Sequence, residues 1–156
     1  MEHRDASSAE VTALLDAGDV AGAARLLGRF HELRGVVELG DQRGRTIGFP
    51  TANVTTPGSS VIPAEGVYAG LFTAADAVAR PAAISLGRRP TFHPDGLRLL
   101  EAHVIDFDGD LYGQPVSIQF VDRIRDQRRF GGLDELGDQL QADVETARSM
   151  LADLAP

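Results

Sequence analysis

From about Leu33 onward the chain is a succession of short β-like runs broken by glycine and proline, a texture that leaves few folds open to it. Leu33–Leu39, Gly66–Thr73, Arg80–Leu86, Leu97–Phe107 and Pro115–Arg125 are the candidate strands. Pro94-Asp95-Gly96 and Asp108-Gly109 are turn signals between them. Helical signals are confined to the ends. Ser7-x-x-Glu10 reads as a capping box, Leu14 and Leu15 as an apolar edge, and Gly18 as a stop. Asp19 caps a second short helix through Leu26 and Leu27, closed by Gly28. Near the C-terminus Leu133, Leu136, Leu140, Val144, Ala147 and Leu151 recur at steps of three and four, which predicts a helix packed against the strands. Short strands with turn chemistry between them, and helices only at the ends, predict an antiparallel barrel rather than a doubly wound sheet.

The chain has 156 residues, enough for one ordinary domain, and 43% of them are hydrophobic, enough for a core. A net charge of −8 argues against a general nucleic-acid binder, which needs a basic excess to neutralise phosphates. All 15 basic residues are Arg. Without Lys there is no P-loop lysine, no kinase strand lysine and no Schiff-base chemistry. Without Cys there are no disulfides, thiolate nucleophiles or metal-thiolate sites, and the four His have no H-x-x-x-H spacing. No apolar run approaches a membrane span and the N-terminus is not a signal peptide, so a cytoplasmic protein is expected.

Three segments could carry chemistry. Gly44-Arg45-Thr46-Ile47-Gly48-Phe49-Pro50-Thr51-Ala52-Asn53 combines glycines that let amides approach an anion with an Arg fork for phosphate oxygens. On an extended backbone Thr51 and Asn53 point to one side, a neutral oxygen pair of the kind Mg²⁺ accepts. A Gly-rich hairpin explains the same residues equally well. In Leu99–Phe107, alternation puts Glu101 and His103 on one face with Leu99 and Ile105. There Glu101 is either a general base amid aliphatic neighbours or a strand-end acid paired with an Arg. Arg123, Arg125, Arg128 and Arg129, with Phe130 and two glycines after them, could stack on a flat heterocycle. The alternative is a solvated junction in which Arg pairs with Asp122 and Asp126. Asp106, Asp108 and Asp110 fail as a calcium loop, because the positions requiring Gly and Glu are Leu111 and Ser117.

Taken in order, G-R-x-x-G-F-P-T-A-N (44–53), P-x-x-G-V-Y (63–68), G-x-x-P-T-F (87–92), L-E-A-H (100–103), D-L-Y-G (110–113) and Arg125-x-x-x-x-Phe130 resemble riboflavin kinase. The likeness is strongest to the C-terminal kinase module of bacterial bifunctional riboflavin kinase/FAD synthetases, over roughly residues 31–152. It implies a mainly β fold: a six-stranded antiparallel Greek-key barrel with short N-terminal helices and a C-terminal helix. Residues 1–30 would form a helical connector and 31–156 the kinase domain. The implied reaction is transfer of the ATP γ-phosphoryl group to the 5′-hydroxyl of riboflavin, giving FMN and ADP. Thr51 and Asn53 would coordinate Mg²⁺, and Glu101 would be the catalytic base. Gly40, Arg45 and Thr51 fall in the nucleotide-binding turn, with His103 and Tyr112 as further ATP neighbours, while Arg125 and Phe130 shape the flavin pocket. No H-x-G-H motif of an adenylyltransferase half is present, so the expected product is FMN without FAD. A flavin- or FMN-binding module without catalysis is the alternative, and an interaction domain whose stability no ligand changes is a third.

Overall fold

A computed structural model describes residues 3–38, 51–58, 60–88, 98–107, 109–152 and 154. Gly40, Arg45 and Asp108 lie outside the described residues. The elements are α1 (His3–Asp16), α2 (Val20–Leu27), β1 (His31–Glu38), β2 (Ala52–Thr55), β3 (Gly66–Thr73), β4 (Ala79–Arg88), β5 (Arg98–Val104), β6 (Pro115–Arg125) and α3 (Leu133–Leu151). The six strands close in the order β1-β2-β5-β4-β3-β6, with every pairing antiparallel. The expected six-stranded barrel with terminal helices is what the chain forms.

Strand burial follows from what covers each face. β1 keeps a solvated outer side: Leu33 and Val37 point inward while Arg34, Val36 and Glu38 are exposed. β3 is buried on both faces, so its sequence reads as one apolar run. Tyr68 and Phe72 fill the barrel with Ile84, Leu86, Leu100, Ile118 and Phe120. Ala69 and Leu71 face outward and are covered by Val144, Ala147 and Leu151 of α3. Gly70 sits where the β3–β6 register shifts, and a Cβ there would collide with Gln119 O and the Ile84 side chain.

The N-terminal helices close onto the barrel. Val11, Leu15, Val20 and Ala23 belong to the same cluster as the barrel interior. Burying a side chain like Leu15 contributes about 1.5–3 kcal/mol. Asp19 caps α2 as its sequence predicts, accepting from Gly22 N at 2.8 Å. Gly28 closes α2 at φ 75°, and Gly18 turns between the helices at φ 83°. The capping box at Ser7 does not form a helix start: α1 is already helical from His3, so Ser7 lies inside it.

In α3 the apolar stripe divides. Its second half packs on β3, but Leu133 is 49% exposed, and Leu136 and Leu140 line a cleft instead of the core. Arg148 holds the far end of the helix to Asp106 through two bonds of 2.5 and 2.8 Å. Asp106, with φ 58°, and Asp110, which accepts from Tyr112 N at 3.0 Å, use their carboxylates for local fastening.

His31 supplies a pH-dependent contribution. Burial holds its imidazole pKa below the ordinary 6.5, against a hydrogen bond to Val61 O that acts in the opposite sense. The unfolded chain therefore binds the proton more tightly than the folded one. This contribution is present above pH 6.5 and is lost as the pH falls below that value. We expect the melting temperature to drop from pH 7.5 toward 5.5 (a range of about two units around the unperturbed His value), and to drop less in His31→Gln. Equal slopes for both proteins would rule out this linkage.

Candidate active site

Strand register assembles the site. Asn53 of β2 pairs with Glu101 of β5, Glu101 with Ser85 of β4, Ser85 with Val67 of β3, and Val67 with Arg125 of β6. Directly paired residues on antiparallel strands share a face. The alternating neighbours Ala52, Val54, Leu100, Ala102, Ile84 and Leu86 belong to the barrel interior, so this row lies on the outside. Glu101 is in mid-strand and half-buried, not at a strand end. Asn53 beside it is only 6% exposed.

Over this row lies a cleft of about 230 Å³. Its floor includes Thr51, Leu99, Glu101 and His103, which confirms the face read from the alternation of β5. The first part and the middle of α3 form the opposite wall through Leu136, Leu140, Asp143 and Val144. Tyr112 is 59% exposed on the turn before β6 and does not line this cleft.

The segment after β6 forms the remaining wall and is fastened to α3. Arg125 donates from Nε to Asp143 Oδ1 at 2.9 Å and from Nη2 to Asp143 Oδ2 at 2.7 Å. Its Nη1 donates to Asp126 O at 2.9 Å, so the guanidinium is held on all sides. Asp143 is 1% exposed and also accepts from Gln139 Nε2 at 3.0 Å. The Phe130 ring has the Arg125 guanidinium 5.9 Å and the Arg128 guanidinium 5.0 Å from its centroid, the arrangement of a cation–π cluster. Arg128 donates to Gln139 Oε1 at 2.5 Å, and Gly131 N to Glu135 Oε1 at 2.6 Å. Arg123 makes the expected pair with Asp126 at 2.7 Å, but it is half-buried rather than solvated, donating to Glu65 O at 2.6 Å and lying over the Tyr68 ring, while Arg125 pairs with Asp143 instead.

Of the residues singled out from sequence as carrying chemistry, the cleft gathers Thr51, Glu101, His103, Arg125, Arg128 and Phe130, with Asn53 adjoining Glu101. Three further residues were not singled out. Asp143 reads as a polar residue beside an apolar stripe, and Ser85 as a small residue on the outer face of a strand. Gln127 carries no local signal at all; its amide reaches back to β3 and β4.

Among the described residues, no group of three His, Asp or Glu side chains could hold a metal by themselves. On the β2–β5 side of the cleft, Thr51, Asn53 and Glu101 offer a hydroxyl, a carboxamide and one carboxylate, while the Asp143 carboxylate on the α3 wall is engaged by Arg125. The β2–β5 set fits Mg²⁺ carried by a polyphosphate, which needs only one or two protein oxygens and keeps waters for the rest.

A family model described as Flavokinase: Riboflavin kinase matches residues 27–151. The chain belongs to the riboflavin kinase family. Its similarity to the bifunctional riboflavin kinase/FMN adenylyltransferase of Bacillus subtilis is 37% identity over 143 residues, 90% of this chain and 45% of that protein. The corresponding Escherichia coli K12 protein is 41% identical over 143 residues, 91% of this chain and 45% of its own length. The chain thus spans about half the length of these relatives, matching the riboflavin kinase half. A solved riboflavin kinase from Trypanosoma brucei superposes with a TM-score of 0.58 at 26% identity, covering 79% of this chain and 80% of that one.

Proposed function

We propose that the chain is an ATP:riboflavin 5′-phosphotransferase that works in the cytoplasm, where ATP is abundant. Family membership supports the reaction class. The observation that carries the site assignment is the row Asn53–Glu101–Ser85 facing a cleft that also holds Thr51, Arg125 and Phe130. In this reading the flavin lies against Phe130 and the α3 wall, with its ribityl chain directed toward Glu101. Glu101 takes the proton of the 5′-hydroxyl, the hydroxyl oxygen bonds to the γ-phosphorus, and the bond from that phosphorus to the bridging oxygen breaks. FMN and ADP leave, and the proton passes from Glu101 to solvent.

In this reading Thr51 and Asn53 would hold Mg²⁺ together with the nucleotide. The ion would supply charge neutralisation on the phosphate oxygens, the largest need of a loose phosphoryl-transfer transition state. His103, next to Glu101 on the same face, would border the nucleotide. Residues 1–30 serve, in this reading, as a helical connector segment, and residues 31–156 as the kinase unit.

The test is incubation with riboflavin and Mg·ATP followed by chromatographic separation of flavins. FMN without FAD is expected, together with loss of FMN when the divalent ion is chelated. Bound riboflavin without any FMN would instead indicate a flavin-binding module that lacks catalysis.

A further inference from the structure

Gln127 lines the cleft, yet the phosphotransfer reading gives it no part. Its amide is anchored through the nitrogen. Nε2 donates to Ser85 Oγ at 2.8 Å, to Leu86 O at 2.9 Å and more weakly to Gly66 O at 3.4 Å. The two backbone carbonyls fix the orientation of this amide, because the flipped form would set its oxygen against theirs. Among the described residues nothing donates to Oε1. The amide oxygen is thus an acceptor with two lone pairs and a direction set in advance.

Strand register brings this acceptor close to the reacting end of the cleft. Ser85, to which the amide is bonded, is directly paired with Glu101 of β5. Side chains in that relation share a face, with Cβ atoms about 4.5–5.5 Å apart. The amide also lies over Gly87, where a Cβ would stand 3.6 Å from Nε2 and 3.9 Å from Cδ. An oriented acceptor in this place discriminates between the two substrates. The polyphosphate of a nucleotide brings acceptor oxygens to the reacting end, and these repel a carbonyl oxygen. The ribityl chain brings hydroxyls, each able to donate. With its 5′-hydroxyl at Glu101, the secondary hydroxyls follow within a few bonds.

We propose that Gln127 is a specificity-determining residue whose Oε1 accepts a hydrogen bond from a secondary hydroxyl of the ribityl chain, while Nε2 ties the amide to β3 and β4. The inference rests on the phosphotransfer reading. It narrows the phosphoryl acceptor to a flavin with a polyol chain, as against any flavin that ends in a primary alcohol. Because the amide is oriented before the ligand arrives, the bond forms without ordering a free side chain. Gln127 is exposed, so the discrimination is that of one solvent-accessible hydrogen bond, about three- to tenfold.

The test measures kcat/KM for phosphorylation, and the dissociation constant by flavin fluorescence, for riboflavin and for the hydroxypentyl flavin, whose side chain keeps only the terminal hydroxyl. The proteins are the parent, Gln127→Met, which keeps the length of the side chain, and Gln127→Ala. We expect both variants to lose about three- to tenfold in kcat/KM and in affinity for riboflavin, with less than about twofold change for the hydroxypentyl flavin. Each variant is compared on two flavins, so a general disturbance of the fold affects both alike. Equal losses for the two flavins would show that Gln127 only fastens its segment to the barrel, and would overturn the inference alone. So would an active parent whose preference between the flavins is unchanged in both variants. A parent that makes no FMN overturns the phosphotransfer reading and this inference with it.

Discussion

Glu101→Gln is expected to reduce FMN formation by about 10²–10⁴-fold, the usual contribution of a positioned general base. Glutamine preserves the size of the side chain and its fit beside Asn53 and Ser85, while removing the group that accepts the proton. Riboflavin and nucleotide binding should persist, because the cleft walls, Phe130 and the Arg125–Asp143 pair are untouched. The pattern to look for is a collapse of kcat with little change in ligand-induced thermal stabilisation, which reports binding by mass action. Turnover equal to the parent's would remove Glu101 from the role of base. Simultaneous loss of binding and rate would instead assign Glu101 to holding substrate.

Asp143→Ala is expected to cost about 3 kcal/mol of stability, near the lower end for breaking a buried ion pair from one side. The pair is asymmetric: the Asp143 side chain is 2% exposed and that of Arg125 17%. Removing the carboxylate strands a largely buried guanidinium that now lacks both of its bidentate acceptors, and it takes one hydrogen bond from Gln139. The loss also reaches the cleft, because this pair joins the wall made by α3 to the strand that carries Arg125. Weaker riboflavin binding should therefore accompany the lower urea midpoint. Asp143→Asn, which keeps an acceptor oxygen, should lose less of both. An unchanged midpoint in Asp143→Ala would show that the Arg125 guanidinium finds water or another acceptor once the carboxylate is gone, so that no buried charge is stranded.

Recognition of the family came from motif order, and the architecture from local rules that operate within a few residues. The bounds of β3 and β6 coincide with Gly66–Thr73 and Pro115–Arg125 as read from the chain, since both runs end at turn residues or a change of pattern. Asp19 and Gly28 are legible because a cap bonds to amides and carbonyls two to four positions away. Alternation alone put Glu101 and His103 on one face. Arg45 and Gly40 remain assignments by resemblance, outside the described residues.

Other features have no local signature. β2 is only four residues long and was not among the candidate strands; pairing with β1 on one side and β5 on the other makes it a strand. A run that short has too little periodicity to declare itself. The Arg125–Asp143 pair spans 18 positions and the Gln127–Ser85 bond 42. Leu136 and Leu140 continue the same apolar stripe as Val144, yet they line a cleft and take no part in the buried clusters, a difference that helical spacing does not carry. By itself the sequence determined five of the six strands, the terminal helices and which face of β5 carries its acid, because periodicity and capping depend on near neighbours. Only barrel closure decided that Asn53, Glu101, Ser85 and Arg125 stand in one row beneath α3, because register across five strands is fixed by packing the interior as a whole.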